Sequence, residues 1–180
     1  MKIGLVRHYK VKKGFPEKRW LTYGELAQWF REYDEADIEE EATDLQGIQW
    51  GKCYASDLPR ASRTAKAIYE GPIAYTDELR EIPLPHFKLQ MRLPFLCWAI
   101  IVRLSAYLSR DTREKIAEGE KRIGAILDRV IEEGHDTLIV SHAALMMYMR
   151  KELRRRGFVG PSYRTPANGK LYLFERKKTH

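Results

Sequence analysis

The sequence predicts an α/β fold, a three-layer sandwich in which a mostly parallel central sheet is flanked by helices. Short apolar runs that fit buried strands occur at residues 3–6, 52–56, 73–75, 137–140 and 171–174. Segments with apolar residues at helical spacing separate several of these runs. Strands that alternate with helices form parallel sheets, so we expect the carboxyl ends of the strands to meet at one edge.

Capping residues predict where several helices begin and end. Thr22 and Glu25 form a T-x-x-E capping box, which predicts a helix over about 23–33. Asp111 and Glu114 make a similar arrangement at the start of a long amphipathic helix, which ends at Gly134. A further helix contains three methionines whose spacing indicates packing in the core: Met146, Met147 and Met149.

The segment 57–69 predicts a helix with an arginine in its first turn. Ser56 or Asp57 can cap this helix, and Pro59 is tolerated because the first turn needs no backbone donor. Arg60 therefore lies at the helix N-terminus, where backbone N–H groups and the positive end of the dipole favour an anion.

The length of 180 residues predicts one domain over 1–180, with a variable helical lid or insertion at about 83–110. We expect one or two short helices there, with the apolar run 95–102 covering the active site or packing as core. If exposed, this run would mark a partner or membrane contact. It is shorter than the roughly 20 residues that span a bilayer. Cys53 and Cys97 lack CxxC spacing, so we expect buried free thiols and, without a signal peptide, a cytoplasmic location.

The net charge of +7 favours anionic partners. No zinc-finger spacing or RNP-type aromatic motif is present, so we expect no nucleic acid partner. A small phosphorylated molecule accounts for the charge equally well. The acidic run 34–41 is interpreted as a solvated connector without a chemical role, and the sequence carries no signal for the oligomeric state.

Polar residues follow two of the predicted strands directly. Arg7 and His8 end the first strand, and Ser141 and His142 end the strand at 137–140. Arginine binds phosphate oxygens with two parallel hydrogen bonds, a neutral imidazole can attack phosphorus, and a carboxylic acid can protonate the departing alkoxide. This chemistry requires no metal or other cofactor.

Four sequence blocks resemble a known family. They are LVRH at 5–8, YASDLPRASRTA at 54–65, LREI at 79–82 and IVSH at 139–142. In these blocks and their order the chain resembles the histidine phosphatase superfamily, also called the phosphoglycerate mutase-like family. The resemblance covers most of the chain and leaves about 83–110 unmatched.

The resemblance implies a phosphoglycerate mutase-like fold and a role for each matched residue. His8 would be the nucleophile that becomes a phosphohistidine, and Arg7, Arg60 and His142 would form the phosphate pocket. Glu81 would protonate the leaving group and then activate water.

The chain also departs from the family pattern. Glu78 is a rival acid that fits the Leu-x-Glu-Ile frame less well than Glu81. Tyr9 stands where the family usually has glycine, which puts substrate access in question. Gly14 stands where an asparagine commonly assists the phosphate, and nearby lysines are candidate substitutes: Lys10, Lys12 and Lys13.

These features favour a metal-independent phosphatase that hydrolyses a phosphomonoester, on a small molecule or a phosphoprotein, through a phosphohistidine on His8. Two alternatives stay open: a phosphomutase of the same family, and a catalytically impaired phosphate-binding or interaction module. Metal-dependent hydrolysis through His8, Glu81 and His142 is disfavoured, because H-x-H and HExxH spacings are absent and two arginines would repel a cation.

Overall fold

A five-stranded sheet is the centre of the computed structural model, which describes residues 1–87 and 91–176. The strands are β1 (Lys2–Arg7), β2 (Lys10–Val11), β3 (Ile38–Glu39), β4 (Lys52–Ser56), β5 (Ile73–Thr76), β6 (Thr137–Ser141) and β7 (Leu171–Glu175). The large sheet has the order β5-β4-β6-β1-β7, in which only β7 runs antiparallel to its neighbour. The predicted mostly parallel sheet is confirmed.

The described residues form five α-helices: α1 (Tyr23–Glu35), α2 (Pro59–Ile68), α3 (Phe95–Leu108), α4 (Arg110–Glu133) and α5 (Ala143–Arg155). The capping box of α1 is present, with Thr22 and Glu25 each accepting the other's backbone N–H. Gly134 ends α4 in the left-handed region, at a φ of 70°. Both predictions are confirmed.

Alternating side chains of the central strands enter two separate cores. Leu5 and Ile139 pack with the apolar faces of α4 and α5, whereas Val6 and Val140 pack with α2 on the opposite face. Buried residues on both faces explain the continuous apolar runs of β1 and β6. Helices therefore cover both faces of the sheet, as the three-layer prediction requires.

The predicted caps of α2 are wrong. The helix begins after Leu58, which makes no side-chain capping bond. Ser56 and Asp57 have other partners: the Ser56 hydroxyl lies 2.9 Å from a ring nitrogen of His142, and the Asp57 carboxylate accepts from Arg80 at 2.7 Å. Proline at the first position removes one N–H that a cap would otherwise satisfy.

The predicted cap of α4 is wrong as well. Ser109 occupies the cap position, and its hydroxyl accepts from the Thr112 N–H. Asp111 and Glu114 instead form ion pairs with basic residues one helical turn away. The helix also begins earlier than its apolar periodicity indicates, because its first turn is charged. Among the methionines of α5, Met146 and Met149 are buried as predicted, whereas Met147 is exposed.

The acidic run is bonded to the basic loop, contrary to its interpretation as a solvated connector. β2 and β3 pair within these two segments, which the sequence had indicated as loops. Ion pairs join them on either side: Lys10 with Glu39, and Lys12 with Asp37. Short pairings of this kind leave no periodic signal in the sequence.

The segment 95–108 is one helix, α3, whose two faces differ. Trp98 is fully buried against Leu21 and Leu26, and its indole N–H donates to the Leu21 carbonyl at 2.9 Å. The opposite face is exposed, so the run 95–102 packs as core along one side only. Residues 88–90 of the predicted lid lie outside the described residues. Cys53 is buried, Cys97 is half-buried, and both are free.

No helix within 1–87 and 91–176 is both long and apolar enough to cross a membrane.

Candidate active site

Strand register brings the two predicted histidines together. Arg7 of β1 lies opposite Ser141 of β6, and the next residue on each strand is a histidine. The His8 N–H donates to the Ser141 carbonyl at 3.0 Å, and the ring centroids of His8 and His142 are 5.2 Å apart. The predicted meeting of these strand ends is confirmed.

The hydrogen bonds of His8 determine which ring nitrogen carries a lone pair. Nδ1 lies 2.6 Å from the Tyr9 carbonyl oxygen, which can only accept, so Nδ1 is the protonated nitrogen. Nε2 is then the basic atom, and Arg60 Nε donates to it at 3.3 Å. The imidazole therefore presents the nitrogen that carries its lone pair to an arginine.

Both imidazoles are buried and neutral at pH 7. Burial, followed by the positive charge of Arg60, lowers the pKa of His8 from 6.5 to about 3. Burial also holds the pKa of His142 well below its ordinary value, with Arg60 and His8 as smaller causes. An uncharged imidazole is the form that can act as a nucleophile.

Arg60 bridges the histidine and an acidic residue that sequence reasoning passed over. The arginine lies in the first turn of α2, as predicted, and is almost fully buried. Its Nη1 donates to Asp34 Oδ1 at 2.5 Å, and its guanidinium lies 5.7 Å from the Tyr33 ring centroid. Asp34 belongs to the acidic run, so that segment supplies a charge directly beside the candidate site.

Two buried polar atoms at this site lack a hydrogen-bond partner among the described residues. They are Arg7 Nε and His142 Nδ1. Arg7 is anchored through Nη1, which donates to the Pro166 carbonyl at 3.0 Å. Buried polar atoms without a partner are uncommon, and an oxygen-rich anion would satisfy an N–H donor here.

Glu81 lies at the N-terminus of the helix that His142 begins. Its Oε2 accepts the Ala144 N–H, and its Oε1 accepts the N–H groups of Leu145 and Ile82, all at 3.0 Å. These contacts place the carboxylate on the first turn of α5, next to His142 in the chain. Backbone donors at a helix start orient a carboxylate well.

Glu78, the rival acid, lies elsewhere. Its carboxylate accepts from the Arg129 guanidinium of α4 at 2.8 Å. Glu78 lies within the 3₁₀ turn Asp77–Leu79, whereas Glu81 follows this turn. The geometry thus favours Glu81 over Glu78 as the acid near the histidines.

The Tyr9 side chain is buried against the segment that contains Gly169. Its ring lies against Gly169, where an added Cβ would come within 2.8 Å of the ring carbons. Its hydroxyl lies 3.1 Å from Thr43 Oγ1, which donates to the Gly169 carbonyl at 2.7 Å. The tyrosine at the usual glycine position therefore packs against Gly169.

The three lysines near Gly14 all bond carboxylates. Lys10 pairs with Glu39, Lys12 with Asp37, and Lys13 with Glu32 on α1. None of the three makes a hydrogen bond to His8 or Arg60 among the contacts of the described residues. A groove of about 610 Å³ lies between the loop of Lys13 and α1, and its lining does not include the histidines.

Three polar residues support His8 and His142, and sequence reasoning did not assign them this role. Ser56 Oγ lies 2.9 Å from His142 Nε2, Thr64 Oγ1 accepts the Tyr9 N–H at 2.8 Å, and the Asn168 side chain donates to the His8 carbonyl at 2.7 Å. Ser56 and Thr64 lie in a block that the resemblance covers. Asn168 precedes Gly169, and this Asn-Gly pair is a turn signal that could have drawn attention to the segment.

Within the described part of the chain, no group of three or more His, Cys, Asp or Glu side chains could hold a metal ion. The polar atoms that meet here are instead two imidazoles, two guanidinium groups and a carboxylate. This set suits an anion with several oxygens.

Comparison with known proteins matches residues 32–180 to the histidine phosphatase superfamily (branch 1). The chain belongs to the histidine phosphatase superfamily. The matched residues include Arg60, Glu81 and His142, whereas His8 precedes them. No curated protein matches this superfamily member.

Solved structures share the fold of this histidine phosphatase superfamily member at low sequence identity. YhfR from Bacillus stearothermophilus is 16% identical and has a TM-score of 0.62. The match covers 98% of this chain and 92% of the YhfR chain. The α-ribazole phosphatase from Shigella flexneri is 18% identical with a TM-score of 0.56, covering 99% and 92%. Phosphoglycerate mutase from Bacillus anthracis is 17% identical with a TM-score of 0.51, covering 87% and 81%. The predicted phosphoglycerate mutase-like fold is confirmed.

Proposed function

We propose that the protein is a metal-independent phosphatase that hydrolyses a phosphomonoester through a phosphohistidine on His8. The observation that carries the proposal is the hydrogen bond from His8 Nδ1 to the Tyr9 carbonyl. It leaves Nε2 with a lone pair in a buried, neutral imidazole. Superfamily membership supports phosphatase-type chemistry.

In the first step, His8 Nε2 attacks phosphorus and the bond between phosphorus and the ester oxygen breaks. With substrate bound, Arg60 Nε donates its hydrogen bond to a phosphoryl oxygen instead of to His8 Nε2. Arg7 and His142 bind the remaining phosphoryl oxygens. Glu81 gives its proton to the departing alkoxide. We favour Oε2 as the proton carrier, because it accepts one N–H where Oε1 accepts two.

In the second step, water attacks the phosphorus of the phosphohistidine and the P–N bond breaks. Glu81, now ionised, accepts the proton of the water, and inorganic phosphate leaves with His8 restored. The two arginines neutralise the charge on the phosphoryl oxygens in both steps. The substrate class is a small phosphorylated molecule, with a phosphoprotein as the alternative.

Replacement of the nucleophile tests the proposal. We expect His8→Ala to abolish phosphate release from a panel of phosphomonoesters and to abolish acid-labile labelling of the protein, in assays that contain EDTA. His135→Ala is the matched control, because His135 is exposed and precedes β6, at the opposite end of this strand from His142. Wild-type turnover in His8→Ala would refute the nucleophile assignment.

The same assays separate the remaining alternatives. A phosphomutase would label on His8 and move the phosphoryl group between positions of one substrate with little release of phosphate. An impaired binding module would bind phosphate and neither label nor turn over. Activity that is lost in EDTA and restored by one added metal would indicate metal-dependent hydrolysis instead.

A further inference from the structure

The outer face of α3 is apolar and exposed. Leu96, Ile100, Leu104, Tyr107 and Leu108 follow one another at helical spacing on this face, opposite the buried Trp98. Leu96, Tyr107 and Leu108 are 74%, 78% and 80% exposed, so their side chains protrude from the surface. A surface helix normally presents polar residues on such a face.

Neighbouring segments extend this face into a larger patch. Phe15 is 81% exposed and its ring lies 5.6 Å from that of Phe95 at the start of α3. The backbone of Leu21, next to the exposed Trp20, bridges to Leu93, near the exposed Met91. We call this surface the α3 patch: Phe15, Trp20, Met91, Leu96, Ile100, Leu104, Tyr107 and Leu108.

The α3 patch holds most of the large exposed hydrophobic side chains of the described residues, eight of eleven. Single exposed hydrophobic residues are normal on a protein surface, but a cluster of this size marks a contact site. One helix and two short adjoining segments supply all eight. The concentration therefore indicates an interaction surface.

The stretch that contains α3 is basic. Residues 82–110 contain no aspartate or glutamate, and they include Arg92, Arg103 and Arg110. Arg103 falls on the exposed side of α3, between Ile100 and Leu104 in the sequence. Arg92 and Arg110 flank the helix and pair with glutamates outside this stretch. An apolar surface with basic residues complements an anionic, apolar partner.

We propose that the α3 patch docks on the surface of an anionic lipid bilayer. The protruding aliphatic side chains would enter the boundary of headgroups and acyl chains, Tyr107 and Trp20 would lie at headgroup depth, and arginines would meet lipid phosphates. A second copy fits less well. A symmetric interface places the same patch on both subunits, and α3 of the second copy offers Arg103 no acidic partner, because this helix contains none.

Vesicle sedimentation with the full chain tests the proposal. We expect the protein to bind vesicles of phosphatidylcholine mixed with phosphatidylglycerol, and binding to fall as salt rises. Leu96→Glu combined with Tyr107→Glu should weaken the partition by about tenfold or more. Both side chains are mostly exposed, so thermal melts by circular dichroism should match those of the wild type.

Two further variants make the test specific. Val159→Glu is the matched control, because Val159 is 78% exposed and lies outside the patch, and it should bind like the wild type. Arg103→Gln should weaken binding about fivefold, which corresponds to one basic residue near an anionic surface.

Three outcomes would overturn the proposal. The first is equal binding to vesicles with and without phosphatidylglycerol. The second is full binding by the double variant. The third is no vesicle binding at all. The α3 patch would then be covered by a second copy of the chain, which sedimentation velocity would show as a dimer, or by an acidic protein. None of these outcomes depends on phosphatase activity, so this test and the test of His8 fail independently.

Discussion

At the scale of single residues, His8 owes its chemistry to backbone acceptors and to a distant side chain. The Tyr9 carbonyl sets the tautomer, and the Asn168 amide holds the His8 carbonyl from a loop near the end of the chain. Gly169 N–H also bonds the Arg7 carbonyl at 2.9 Å. The loop that precedes β7 therefore positions the backbone that carries the proposed nucleophile.

We expect Asn168→Ala to lower kcat about tenfold or more while KM changes little. The substitution removes a donor to the His8 backbone without removing a phosphate ligand, and small misplacement of a reacting group is costly. Steady-state kinetics on the best substrate of the panel provide the measurement. A rise in KM with kcat unchanged would show that Asn168 acts in substrate binding instead.

Asp34 should weaken phosphate binding, because its carboxylate already occupies Arg60. We expect Asp34→Asn to tighten inhibition by inorganic phosphate or vanadate about threefold, the effect of a partly exposed ion pair. Asp37→Asn is the control, since Asp37 pairs with Lys12 and Arg63 on the surface. Weaker inhibition in Asp34→Asn would show that Asp34 orients Arg60 rather than competes with the anion.

At the scale of elements, the N-termini of α2 and α5 both face the candidate site. Arg60 lies in the first turn of α2, and the first turn of α5 donates backbone N–H groups to Glu81. Both helices closely follow strands, since two residues separate β4 from α2 and one residue separates β6 from α5. Helix starts and strand ends thus provide the side chains of the site, in line with parallel α/β sheets in general.

Alanine substitutions of a glycine inside α4 and of the glycine that ends it should change the stability of the protein in opposite directions. Gly134→Ala should destabilise the protein by about 1 kcal/mol, because alanine is strained at a φ of 70°. Gly124→Ala should stabilise it by about 0.5–1 kcal/mol, since Gly124 lies inside the helix and an added Cβ meets nothing within 4 Å. Denaturant unfolding measures both changes, and a shift of the same sign in the two variants would contradict the interpretation.

At the scale of the whole molecule, the sheet order determines which distant segments meet. β6 lies between β4 and β1, so Ser56, Arg7 and Ser141 end neighbouring strands although they are far apart in sequence. Basic residues that cluster in the sequence differ in their surroundings in the folded protein. Lysines of the loop 10–13 pair with carboxylates of the acidic run and of α1, whereas Arg60 is buried beside His8.

Because His8 and His142 are both buried, we predict that the free energy of unfolding falls in mild acid. Folding lowers the pKa of His8 from 6.5 to about 3 and lowers that of His142 in the same direction. The unfolded chain therefore binds more protons between pH 6.5 and about 3, so the free energy of unfolding is full above pH 6.5 and declines as pH falls through this window. His8 accounts for a loss of about 2 kcal/mol between pH 7 and 5, and His142 contributes a loss in the same direction.

Urea unfolding at pH 7 and pH 5 measures this effect. His8→Gln removes one of the titrating groups, so its stability should decline less than that of the wild type over the same interval. An equal decline in both proteins would show that His8 is not responsible.

The sequence by itself determined the fold class, the order of most elements and the residues that meet at the strand ends. These features depend on local signals: apolar runs, the Thr22 capping box, Gly134 and residue types directly after strands. The resemblance in four blocks named the superfamily for the same reason, since its motifs are local.

Only the tertiary structure decided what surrounds those residues. The tautomer of His8, the Asn168 donor, the Asp34 partner of Arg60 and the exposed face of α3 all depend on segments that are distant in sequence. The failed capping prediction for α2 has the same origin: Ser56 and Asp57 are good local caps, but His142 and Arg80 contact them from other elements. Local propensity selects an element, whereas partners brought together by packing decide how a polar side chain is used.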